Sequence, residues 1–146
     1  MFKKILVPID GSDASLHALD FAAALSSQFD SAIDVITVDV PYDLTKLPPR
    51  KPKNAVEAAK LEQEPKRLTA LEIAELYAKK HGYENMSFKK IIDTDPADKI
   101  VEKAKRGEYD MVVIGNRGIG GLAGFLLGSV SDKVAKAAEC PVVIVK

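Results

Sequence analysis

The chain has 146 residues, 47% hydrophobic and 29% charged, with 21 basic and 21 acidic side chains and a formal net charge of zero. That length and composition suit one globular domain with a well-buried core, so a single domain spanning residues 1–146 is expected. The charge balance excludes the basic excess of a nucleic-acid binder, the lone Cys140 excludes an internal disulfide, and no apolar run reaches the about 18 residues that a membrane helix needs.

The opening "MFKKILVPIDGSD" carries only a short apolar run before Asp10, too little for a secretory leader, so a cytoplasmic, water-soluble protein is expected. "KILVPI" (Lys4 to Ile9) reads as a β-strand closed by the turn signal "DGSD". A helix follows from Ser12, its expected N-cap, with Ala18, Ala22, Leu25 and Phe29 on one face. "AIDVITVDV" (Ala32 to Val40), rich in β-branched residues, is the second strand. Pro41 to Asn54 holds four prolines and several cations and reads as a long irregular connection.

From Ala55 to His81 a long charged helix is expected, which Pro65 either kinks or divides by starting its main part, with Leu68, Leu71, Ile73, Leu76 and Tyr77 as its buried stripe and Gly82 as its stop. "MSFKKII" (Met86 to Ile92) is the third strand, and "DPADKIVEKAKRGEYD" supplies a short helix with Pro96 in its first turn and Ile100, Val101 and Ala104 facing inward. "MVVIG" (Met111 to Gly115), continuously apolar, reads as a fourth strand buried on both faces. "SDKVAKAAE" is a last helix and "CPVVIVK" a fifth strand. Five strands alternating with helices imply an open parallel sheet with helices on both faces, whose ligand site lies beyond the carboxyl ends of the strands. The segments "PIDGSD", "TVDVPYD" and "GNRGIGG" leave those ends.

"VVIGNRGIGGLAGFLLGSVS" (Val112 to Ser131) concentrates six of the nine glycines. No lysine-serine or lysine-threonine pair follows these glycines, so the P-loop is excluded. Gly118 to Ala123 spells G-x-G-x-x-A, yet no acid ends the next strand as a dinucleotide fingerprint requires. The Gly120–Gly124 spacing lacks the apolar 20-mer of a membrane dimer, and Phe125, Leu126 and Leu127 are unlike a linker. What remains is a spacing: Gly115 and Gly118 close a strand, and after nine residues Gly128 and Ser129 open a helix. Glycines let backbone N–H groups approach an anion, and a helix N-terminus at Gly128, Ser129 and Val130 offers further donors, joined by the hydroxyls of Ser129 and Ser131.

This Gly-x2-Gly-x9-Gly-Ser pattern resembles the nucleotide motif of the ATP-binding branch of the universal stress protein family. "ILVPIDGS", "DPADKI" and "GSVSDKVAKAAECPVVIV" are similar to the same family, so the resemblance spans essentially the whole chain. It implies a five-stranded parallel sheet of order 3-2-1-4-5, Rossmann-like and of the adenine nucleotide α-hydrolase-like type, and a homodimer. It also implies ATP as ligand, with Mg²⁺ held mainly by the phosphates. On this resemblance Pro8 and Asp10 face Gly115 across the site, and Asp10 bonds the nucleoside. Val38 packs on the adenine, with Ile114 and Gly115 in the same pocket, while Gly118, Gly128, Ser129, Val130 and Ser131 cradle the phosphates.

Other readings of these residues stay open at the level of sequence. Asp10 is also a candidate helix cap, Val38 a core residue, Ser129 a simple N-cap, and Arg117 either a solvated charge or a phosphate contact. His17 and His81 stand outside any motif, and Cys140 reads as a small buried residue. Thr94 stands where the family often has glycine, and Pro41 to Lys53 is the family's variable region. The last apolar strand, Pro141 to Val145, is an edge in the implied order and the expected dimer contact.

The expected function is a nucleotide-dependent regulatory or stress-response switch. A slow ATP hydrolase or adenylate-transferring enzyme needing a partner is the alternative, since no motif places a general base or an arginine finger. A phospho-receiver domain, with Asp10, Asp13, Asp93 and Lys146 as its polar set, and an interaction module without nucleotide are the remaining readings.

Overall fold

The computed structural model describes residues 2–41, 53–56, 58–59, 67–117 and 127–146. Five strands, β1 (Lys4–Pro8), β2 (Ala32–Asp39), β3 (Met86–Ile92), β4 (Met111–Gly115) and β5 (Val142–Val145), form one sheet of order β3-β2-β1-β4-β5. All its pairings are parallel. Among the described residues, α1 (Asp13–Phe29), α2 (Ala70–His81), α3 (Pro96–Arg106) and α4 (Ser129–Ala137) connect or flank them. The sheet has the order implied by the resemblance.

Alternation along the strands divides the core into two layers. Ile5, Val7, Ile33, Val35, Met111 and Val113 point to one face, where Ala18, Leu19 and Ala22 of α1 and Ala74 and Ala78 of α2 cover them. Leu6, Ile36, Val112 and Ile114 point to the other, under Ala97, Ile100 and Ala104 of α3 and Val134 of α4. The interior strand β4, between β1 and β5, is buried along its whole length, as its unbroken apolar run predicts.

Helix ends follow their local chemistry. Ser12 caps α1 by accepting the Ser15 N–H at 3.2 Å. Asp95 caps α3 through the Asp98 N–H, with Pro96 in the first turn, where its missing N–H is harmless. Gly82, at φ +69°, closes α2 in the left-handed conformation expected of it.

The expected helix from Ala55 to His81 is corrected in its bounds: Ala55 and Val56 are helical, with the Ala58 N–H bonded to the Asn54 carbonyl, but Arg67 to Thr69 are not, and Pro65 lies outside the described residues. Thr69 starts α2 through a capping box, accepting the Glu72 N–H at 3.2 Å while the Glu72 carboxylate accepts the Thr69 N–H at 2.7 Å. The expected stripe is corrected too, because Leu68 and Leu76 are exposed. The buried residues of α2 are Ala74 and Ala78, small side chains that let the helix lie close to the sheet. Its outer end is fixed by Asp20 of α1, which accepts from Tyr77 at 2.9 Å and Tyr83 at 2.6 Å.

The amino ends of the strands are closed by a polar network. Asp110 accepts the N–H groups of Lys3 and Lys4 at 2.8 and 2.9 Å, and the Lys4 ammonium donates to the Gly107 carbonyl at 2.8 Å while lying over the Tyr109 ring. Asp34 accepts from Tyr109 and Ser87, each at 2.5 Å.

Candidate functional site at the carboxyl ends of the strands

Strands β1 and β4 are neighbours in the sheet, and the helices that follow them leave on opposite faces, which opens a crevice at the point where the strand order reverses. A cavity of about 460 Å³ lies there. Its floor is Pro8, Ile9 and Asp10 from the end of β1, with Ile114 and Gly115 from the end of β4. Val38, near the end of β2, forms one wall together with Pro96 and Ile100 of α3. Arg117, Gly128, Ser129, Val130 and Ser131 form the opposite wall, and Ser15 of α1 completes it. The structure therefore brings together every sequence-predicted site residue except Gly118, which lies outside the described residues.

The turn after β1 is shaped by its own polar groups. Asp10 accepts the Ser12 N–H on Oδ1 at 2.9 Å, a turn that Gly11 at φ +84° permits. The cap of α1 is Ser12, as expected, so the alternative reading of Asp10 as the helix cap is corrected. Ser15 donates to the Ser12 carbonyl at 2.8 Å, which keeps its oxygen beside the floor of the cavity.

The two described motif glycines, Gly115 at the end of β4 and Gly128 at the start of α4, do different work. A Cβ on Gly115 would lie 2.7 Å from the Ala14 carbonyl carbon and 2.9 Å from the Ser15 nitrogen, so the first turn of α1 occupies the space a side chain would need. Gly115 is thus required for close packing of helix on strand, a role the sequence reading did not give it. A Cβ on Gly128 would meet Arg117 and Asn116 backbone at 3.4 and 3.5 Å, ordinary contact distances.

The chain leaves β4 through Asn116 and returns at Gly128. The Asn116 N–H donates to the Val145 carbonyl of β5 at 2.7 Å, and the Asn116 carbonyl accepts the Gly128 N–H at 2.8 Å. This corrects one expectation, since the Gly128 N–H is already bonded. Gly128 is the N-cap of α4 and Ser129 its first residue, so the alternative reading of Ser129 as a simple N-cap is corrected as well. Among the described residues no side chain caps this helix, and its first intrahelical bond runs from the Asp132 N–H to the Gly128 carbonyl. The N–H groups of Ser129, Val130 and Ser131 precede that bond at the positive end of the helix dipole. Ser131 is buried and its hydroxyl faces the carbonyls of Asn116 and Gly128, both at 3.0 Å.

Asp10 and Arg117 are the charged residues among those lining the cavity. On the rim, Lys133 of α4 bridges Asp95 at 2.8 Å and Asp98 at 3.0 Å, tying α4 to α3. The hydrogen bond from Lys133 holds the Asp95 carboxyl below its ordinary pKa, and the same contact raises that of Lys133. Burial pushes the half-buried Cys140 thiol up, which leaves it a poor nucleophile at neutral pH. The receiver reading is corrected by the sheet order: β2 separates β3 from β1, so Asp93 and Asp10 do not end neighbouring strands. Asp93 instead accepts the Asp95 N–H at 3.0 Å and shapes the turn into α3.

Ile9, Ser15, Pro96 and Ile100 were missed as site residues. "DPADKI" was visible as a motif, but only the sheet order shows that the helix it starts reaches the same crevice as β4.

These features define an open α/β domain with a crevice at its topological switch point. A comparison with family models matches residues 1–146 to the universal stress protein family, and the chain belongs to that family. The universal stress protein YxiE of Bacillus subtilis is 34% identical over 151 residues, covering 100% of both chains. Among solved structures, a universal stress protein in complex with cAMP superposes with a TM-score of 0.67 at 28% identity, covering 99% of this chain and 97% of the other. A universal stress protein from Archaeoglobus fulgidus in complex with dAMP gives a TM-score of 0.64 at 25% identity, with 100% of both chains covered.

Proposed function

We propose that this protein binds ATP, with Mg²⁺, at the switch-point crevice and acts as a dimeric, nucleotide-dependent regulatory switch in the cytoplasm. The observation that carries the reading is the convergence of the two ends of the glycine-rich segment, separated in sequence, on one cavity whose opposite wall is apolar. Its volume lies within the about 300–1,000 Å³ usual for small-ligand sites. The chemistry of the two sides fits an adenine nucleotide. Val38, Ile100 and Ile114 offer an apolar slot for a flat base, and the Asp10 carboxylate suits ribose hydroxyls. The N–H groups at the start of α4, with Arg117, suit the phosphates.

Neighbours in complex with cAMP and dAMP support a nucleotide as the ligand class. Among the described residues no group of three or more His, Cys, Asp or Glu side chains converges to hold a metal ion, so the donors for Mg²⁺ would be phosphate oxygens. Binding rather than turnover is the proposed role, with hydrolysis at most slow. Self-association is assigned to the Pro141–Val145 strand, whose residues Val142 to Val145 are half-exposed at the sheet edge.

Isothermal titration with ATP and Mg²⁺, together with mass spectrometry of any ligand released by heat, tests the reading. Saturable binding is expected, and no binding at millimolar ATP would overturn it. A monomer in sedimentation at micromolar concentration would overturn the dimer assignment.

A further inference from the structure

The geometry points to Ser131 as a positioning residue that holds the phosphate wall in register through the Asn116 carbonyl, rather than a direct donor to the ligand. This rests on the nucleotide reading above. Ser131 is 3% exposed, and its oxygen lies 3.0 Å from the Asn116 carbonyl and 3.0 Å from the Gly128 carbonyl. A hydroxyl has one proton, and both acceptors close at hand are main-chain oxygens. The Asn116 carbonyl has two lone pairs, and the Gly128 N–H already takes one at 2.8 Å. Ser131 is placed to fill the second.

The consequence is geometric. Asn116 is fixed to β5 by its N–H, at 2.7 Å from the Val145 carbonyl, and to α4 by its carbonyl. On the other flank Ser12 donates to the Arg117 carbonyl at 3.4 Å, a longer contact from the start of α1. The Asn116–Arg117 backbone is thus held between two helix starts, and Ser131 supplies the side-chain clasp nearest the phosphate wall. The start of α4 can present its N–H groups to a phosphate only if its distance from the end of β4 is set beforehand. A purely local role for Ser131, donating three residues back to Gly128 as serines in helices often do, would stabilise α4 without setting that distance.

The test compares the wild-type protein with Ser131→Ala and Ser131→Thr. In the nucleotide-free protein, amide exchange at Gly128 is expected to speed up at least about fivefold in Ser131→Ala, while the later turns of α4 keep wild-type protection. Unchanged exchange at Gly128 would overturn the inference whatever the ligand. In titrations with Mg²⁺ and ATP, Ser131→Ala is expected to bind about tenfold more weakly, the scale of one supporting hydrogen bond. Its adenosine affinity should stay within about twofold, and Ser131→Thr should recover most of the ATP affinity. Wild-type ATP affinity in Ser131→Ala, or equal losses for ATP and adenosine, would overturn the inference alone. Failure of the wild-type protein to bind ATP would overturn the nucleotide reading itself, and the exchange result would still decide whether Ser131 sets the stem.

Discussion

The two ends of the sheet are built on opposite plans. At the amino ends of the strands, polar groups are spent on one another: Asp110 holds the Lys3 and Lys4 N–H groups, and Asp34 takes hydrogen bonds from Tyr109 and Ser87. At the carboxyl ends, apolar side chains line one side of a cavity, and the start of α4, at Gly128 to Ser131, lines the other. One end closes the fold, and the other carries the candidate site. The difference teaches that closing the fold and shaping the candidate site are separable here, because few residues serve both.

Gly115 is the exception, and it gives the largest expected effect. Gly115→Ala would drive a methyl into the Ala14 backbone, so unfolding in urea should show a loss of about 2 kcal/mol. A stable Gly115→Ala protein would show that β4 and α1 can separate without harm. Next comes Gly128→Val, expected to weaken ATP binding at least tenfold, about 1.4 kcal/mol, with the far-UV circular dichroism unchanged. The first methyl fits against Arg117, but the branches would press on the Asn116–Arg117 backbone. Unaltered affinity would break the assignment of this end as a phosphate wall.

Tyr109→Phe, at the closed end, should cost about 1 kcal/mol of stability and leave ATP affinity unchanged, since it removes one hydrogen bond to Asp34 at a partly exposed carboxylate. A change in affinity would show that the two ends are coupled. The smallest effect is in acid. Burial alone would raise the pKa of Asp34, but hydrogen bonds from Ser87 and Tyr109 and the charges of Lys4 and Lys103 outweigh it and hold the carboxyl below its ordinary value of 3.8. A depressed carboxyl stabilises the fold above its unfolded pKa and loses that contribution as pH falls through the folded one. The stability gap between wild-type and Asp34→Asn protein should therefore narrow below about pH 4 in urea titrations.

Much of this was legible in the sequence for a physical reason. Each strand is a short apolar or β-branched run bounded by turn residues, and β3 and β4 have the limits that their runs suggest. The α2 boundary was written there too, as "TALE", a capping box from Thr69 to Glu72, but the charged run before it masked the signal. The buried face of α2 was harder to see, because Ala74 and Ala78 pack where larger neighbours would have been chosen by hydrophobicity alone. At the site, Gly128 and Ser129 were legible from spacing, whereas Ile9, Ser15, Pro96 and Ile100 were not. Their convergence depends on which strands are neighbours, and no local pattern encodes that. Gly115 was found for one reason and is required for another, since the approach of Ala14 is a tertiary contact.

The acceptor that joins the end of β4 to the start of α4 is a main-chain oxygen, the carbonyl of Asn116, which takes the Gly128 N–H and faces the Ser131 hydroxyl. An alanine scan would pass over this atom, because every amino acid carries it. Replacing the amide that links Asn116 to Arg117 by an ester would weaken the same oxygen as an acceptor while sparing the Asn116 side chain. In this protein the information that shapes the site is carried partly by side chains and partly by the path of the backbone itself.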